Sequence, residues 1–162
     1  MKLRTLAMLV AGVVLLSMSA FAADVTANLS VSANVVNACT VDAGSMSFGA
    51  YDPLSASNLD QTGSFDVQCT NGGSAHIKLD QGLNGTGTLD APVRRMVNGG
   101  SNYLTYQLFS DIDRQIAWEG QTGVSYTGTG DSATQTVYGR IPSGQNAVAG
   151  NFADTVVITV TY

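Results

Sequence analysis

The residues able to do chemistry are few and far apart in the chain. The single histidine, His76, sits in an alternating run, with Ala75, Ile77 and Leu79 set against His76 and Lys78, so it falls on the polar face of a strand. A lone imidazole there reads as a solvated strand residue, not as a general base. The twelve acidic residues could supply a carboxylate pair, for example Asp111 with Asp113. Both lie just past an alternating run and suit a turn, where Asp side chains cap backbone N–H groups. Arg94-Arg95 is the one basic pair, too little charge for an anion patch. Trp118 and the six tyrosines could build a sugar-stacking platform, although a sandwich core uses the same residue types. There is no G-x-S-x-G elbow, no Walker loop and no H-E-x-x-H. The Gly82 to Gly87 stretch lacks G-x-G-x-x-G and joins no strand to a helix. No catalytic residue, metal site or cofactor is therefore expected, and the chain is not read as an enzyme.

The elements that must position these residues are bounded by composition. The chain has 162 residues, enough for one ordinary domain. Only 12% of residues are charged, against 44% hydrophobic, with 18 glycines and 3 prolines. That mixture excludes a coiled coil, a collagen and a charged disordered tail. A net charge of −5 would repel a phosphate backbone, so no nucleic-acid partner is expected.

Residues 1–22 read as an export signal. Lys2 and Arg4 precede an apolar run from Leu6 to Met18, and Ala20-Phe21-Ala22 presents small residues where a signal peptidase cuts. The chain beyond Ala22 is polar and alternating, which argues against stable membrane insertion. In an oxidising compartment Cys39 and Cys69 are expected to form one disulfide, joining the first sandwich strand to the strand that ends at Cys69. A loop of that length stabilises by roughly 3–4 kcal/mol in the chain-entropy picture. A zinc site would need four ligands, and two cysteines with one histidine do not make one.

The rest of the chain alternates with period two. Phe65, Val67 and Cys69 form one run; Leu104, Tyr106 and Leu108 another; Val156, Ile158, Val160 and Tyr162 a third. Turn signals such as Asn71-Gly72-Gly73, Asn84-Gly85 and Asn98-Gly99-Gly100 separate them. Short strands with turns at this density predict an all-β sandwich or barrel. The longest alternation runs from Asp24 to Val35, with Val25, Ala27, Leu29, Val31, Ala33 and Val35 on one side. As a strand it would span roughly 36 Å. Two readings are open on pattern alone: a first strand of its own sandwich, or a ribbon that pairs with another chain.

An ordered set of motifs carries a family resemblance. Phe48-Gly49-x-Tyr51, Leu79-x-x-Gly82, Arg95-Met96, Leu104-x-Tyr106-x-Leu108 and Val137-Tyr138-Gly139-Arg140-Ile141-Pro142 occur in that order. They end in Gly150-x-Phe152-x-Asp154-Thr155-Val156 and Ile158-Thr159-Val160. The chain resembles the spore coat protein U domain family, which includes pilins of the archaic chaperone–usher pathway. The resemblance spans nearly the whole chain after the export signal. Phe152 stands where the family often has tyrosine, and Glu119 separates Trp118 from Gly120, which are often adjacent.

The resemblance implies an incomplete immunoglobulin-like β-sandwich, residues 37–162, preceded by a donor-strand extension, residues 23–36. Val25, Ala27, Leu29, Val31, Ala33 and Val35 would fill the groove of a neighbouring subunit, which is the donor-strand form of β-augmentation. The partners it implies are identical or related pilin subunits, a periplasmic chaperone and an outer-membrane usher. The function it implies is a structural subunit of a pilus at the cell surface, supporting adhesion or biofilm formation. A secreted carbohydrate-binding sandwich or a spore or cyst coat component stands as the alternative.

Overall fold

The computed structural model describes residues 22–162; the expected export signal, apart from Ala22, lies outside them. Val35–Tyr162 forms one compact unit. Residues 22–34 belong to a separate unit and are assigned no strand or helix.

The compact unit is all β. The alternating runs become β1 (Cys39–Val41), β2 (Leu59–Cys69), β3 (Ser74–Leu79), β4 (Thr86–Gly87), β5 (Pro92–Asn98), β6 (Asn102–Phe109), β7 (Val124–Thr127), β8 (Ser132–Ile141) and β9 (Ile158–Thr161). They make a six-stranded sheet in the order β1-β2-β8-β6-β5-β4 and a three-stranded sheet in the order β7-β3-β9. All ladders are antiparallel. The inner faces carry the alternation read from sequence: Phe65, Val67, Ala75, Ile77, Leu79, Leu104 and Leu108 are all buried. Burying an aliphatic side chain of this kind contributes about 1.5–3 kcal/mol.

The disulfide joins Cys39 of β1 to Cys69 at the end of β2, which are also cross-strand partners. Trp118 is buried in the core, and its Nε1–H donates to Ile77 O at 2.9 Å. His76 is exposed. Asp111 does cap a turn, accepting from the backbone N–H groups of Gln115 and Ile116.

Arg94 departs from the sequence reading. In the chain it is half of a basic pair, but in the fold it points into the sandwich and is 2% exposed. Its guanidinium donates to the carbonyls of Asp80, Leu79 and Trp118, each at 2.7 Å. These bonds tie β3, β5 and the segment after β6 together, and satisfy donors that would otherwise be costly to bury.

Candidate functional site

The last segment of the chain defines an opening in the sandwich. Val97 of β5 and Ala153 exchange backbone hydrogen bonds at 2.9 and 3.1 Å, which joins this segment to the six-stranded sheet. A few residues on it crosses to the other sheet: Asp80 N donates to Val157 O at 3.2 Å, and β9 then pairs with β3. One side of residues 153–161 is thereby covered. Among the described residues, no ladder covers the other side of β9.

Facing it across a gap is the segment after β1. Ser45 bridges to Ser64 of β2, and the chain then turns inward toward Tyr51, whose hydroxyl donates to Pro142 O at 3.1 Å and accepts from Gln145 N at 2.9 Å. Two glycines explain why this segment can lie against the sheet. Gly63 and Gly139 occupy inner-face positions on β2 and β8, beside Phe65 and Val137. A Cβ on Gly63 would stand 2.6 Å from Ser45 O, and one on Gly139 would stand 2.6 Å from Met46 Sδ and 2.7 Å from Phe48 Cζ. The missing side chains are the space that Met46 and Phe48 fill.

Between the two walls lies a groove of about 440 Å³, and Met46, Phe48, Met96 and Phe152 line both it and a second hollow of about 670 Å³. Its floor is the sandwich interior, including Phe65, Leu79, Leu108 and Val137. Phe152, Val156 and Ile158, alternate residues of the last segment, line one wall and are only half-buried. An apolar strip left open between two edges is what a β-sandwich lacking one strand presents.

One polar residue interrupts that strip. Asp154 shares the inward alternation, and its carboxylate accepts from Tyr106 Oη at 2.8 Å and from Asn84 N and Nδ2 at 3.2 and 3.1 Å. Burial, reinforced by the hydrogen bond to Asp154, pushes the Tyr106 hydroxyl far above the usual phenol range. Tyr106 donates and Asp154 accepts, so the group is a hydrogen-bonded node. Among the described residues, no group of three or more His, Cys, Asp or Glu side chains could hold a metal ion.

The expected donor residues lie in the chain ahead of β1. Val25 is 95% exposed, Leu29 87%, Val31 84% and Val35 81%, and Ala27 and Ala33 are exposed as well. The groove-lining residues themselves were missed by sequence reasoning. The signal available was the alternation of Phe152, Val156, Ile158 and Val160, which reads as an ordinary strand until its uncovered side is seen.

Residues 25–159 match the family described as Spore Coat Protein U domain. Protein U of Myxococcus xanthus is 43% identical, over 87% of each chain. Among solved structures, the chain is similar to one from the CsuC–CsuE chaperone–tip adhesion subunit pre-assembly complex of the archaic chaperone–usher Csu pili of Acinetobacter baumannii. That likeness has a TM-score of 0.56 at 20% identity and covers 79% of this chain but 40% of the other. It concerns the fold.

Proposed function

The chain belongs to the Spore Coat Protein U domain family, and we propose that it is a structural subunit of a secreted surface polymer of the chaperone–usher pilus type, assembled by donor-strand exchange. The observation that carries this reading is the open groove between the segment 44–48 and the segment 152–158. The groove needs one strand with apolar side chains at alternate positions, and residues 25–35 supply one. Six apolar alternate positions from Val25 to Val35 would lie against a strip whose inward positions include Phe152, Val156, Ile158 and Val160. The partners in this reading are related subunits, a periplasmic chaperone that occupies the groove first, and an outer-membrane usher. The place of action is the cell surface, with adhesion or biofilm formation as the outcome.

The role is structural, not catalytic. Trp118 is buried, so the sugar-stacking platform that a carbohydrate-binding reading needs is absent from that position. A coat polymer is the second reading, favoured by the match of residues 25–159 to the family described as Spore Coat Protein U domain; it uses the same groove and strand with a different final location. Expression with and without a chaperone and usher pair tests the proposal. Surface fibres that appear only with the pair are expected, while a freely soluble monomer in both cases would overturn it.

A further inference from the structure

We propose that the end of the domain formed by the β2–β3 turn, residues 70–73, together with linker residues 36–38, is a contact surface for a second copy of this chain, and that a clamp on the linker sets the angle between successive subunits. The proposal rests on the donor-strand reading and adds to it. Thr70 holds the linker from both sides. Its Oγ1 accepts from Ala38 N at 3.1 Å and lies 3.4 Å from Val36 O and 3.3 Å from Ala38 O, to either of which it can donate. Its backbone N–H donates to Ala38 O at 2.9 Å. Asn37 Nδ2 donates to Ser74 O at 3.2 Å. A side chain at position 73 would strike Asn37 Oδ1, so Gly73 keeps the place where Asn37 rests. The next residue, Cys39, is bonded to Cys69.

Asn37 and Ala38 are therefore fixed to the domain that they lead into, with Val36 O in reach of the same Thr70 hydroxyl. The last donor position, Val35, is one peptide from Val36, about 3.8 Å between Cα atoms. A neighbouring copy that grips Val35 in its groove must come up against this end of the domain, since no free linker remains to separate them. The surface it meets suits close approach. Gly72 N donates to Gly128 O at 2.9 Å and Gly128 N to Gly73 O at 2.8 Å, so two glycine turns form one rim with little side-chain bulk. A free linker would let each junction bend; a clamped one passes the orientation of one subunit to the next.

Two variants of the full chain, assembled with its chaperone and usher, test this. Thr70→Val removes the hydroxyl at nearly constant volume, and a Gly-Ser insertion between Val35 and Val36 lengthens the junction while leaving the clamp in place. Fibres of both variants are expected to assemble but to bend more, read as a shorter persistence length in electron micrographs. The Ala38 amide of Thr70→Val fibres should also lose protection against hydrogen exchange. If Thr70→Val does not fold, the insertion variant decides. Fibres of the insertion variant as straight as wild type would overturn the contact surface and leave the donor strand untouched. Failure of the donor strand itself has a separate signature, normal fibres from Leu29→Asp.

Discussion

Val97 donates to Ala153 at 2.9 Å and Ala153 returns the bond at 3.1 Å, so the last segment is anchored to the six-stranded sheet before it reaches the three-stranded one. The position of this pair decides where the sandwich is open. With residues 153–161 tied on one side to β5 and β3, the uncovered side faces Met46 and Phe48, which is where the proposed donor strand would enter.

Gly139→Ala should damage the groove wall without touching the rest of the core. The new methyl would meet Met46 Sδ at 2.6 Å and the Phe48 ring at 2.7 and 2.9 Å. Overpacking of this kind costs about 1–3 kcal/mol. The expected result is a lower thermal midpoint for the assembled protein and faster exchange of subunits. An unchanged midpoint would mean that Met46 and Phe48 can move aside freely.

Removing the disulfide with Cys39→Ala and Cys69→Ala should destabilise the domain by about 2–5 kcal/mol. The bond fixes β1 beside β2 at the start of the groove wall. Denaturant unfolding of the chaperone-bound variant beside the chaperone-bound wild type measures the loss. No difference between the two proteins would show that β1 is held by its ladder alone.

Much of this architecture is legible in the chain. Phe65-Val67-Cys69 and Ala75-Ile77-Leu79 declare their strands because each has one buried and one wet face, which forces period two. The cysteine pair is legible because two cysteines behind an expected export signal have few alternatives. Arg94 is not, since its burial depends on three carbonyls brought from β3 and from the segment after β6. The groove is illegible for a related reason. Gly63 and Gly139 look like weak points in their strands until Met46 and Phe48 are seen filling the vacated space. Alternation tells which face of a strand is buried but not which edge is left unpaired.

Asp154→Ala should cost more than its size suggests. It leaves the Tyr106 hydroxyl and the Asn84 donors without their acceptor, and an unsatisfied buried donor costs about 1–3 kcal/mol. Asp154→Asn keeps an oxygen acceptor and should lose less. Equal losses in thermal midpoint for the two variants would contradict a hydrogen-bonding role.

Acid should weaken the β2–β8 side of the sandwich. Arg140 donates to Asp60 at 2.7 and 2.8 Å, and Arg114 lies 3.5 Å away. The hydrogen bond from Arg140, with the nearby guanidinium charges, holds the Asp60 carboxyl below its ordinary value of 3.8 against the opposing effect of burial. A lowered folded-state value means that the stabilisation is complete above pH 3.8 and is lost as pH falls through the lower folded value. The pair is partly exposed, so its worth is small, about 0.2–1 kcal/mol. Asp60→Asn should flatten the acid limb of the stability curve by that amount. A curve parallel to wild type below pH 4 would contradict it.

Donation between subunits is tested most directly by deleting residues 23–35 from the exported protein and co-expressing it with the full chain. The truncated domain keeps its groove but has no strand to give, so it should accept one neighbour and end the chain there. Ladders on non-denaturing gels should then shorten as its share rises. Leu29→Asp should act in the same direction, because a buried unpaired carboxylate costs several kcal/mol, whereas Asn28→Asp on the opposite face of the strand should assemble normally. Ladders of full length from the truncated protein alone would show that residues 25–35 serve their own domain, and the donor-strand reading would be wrong.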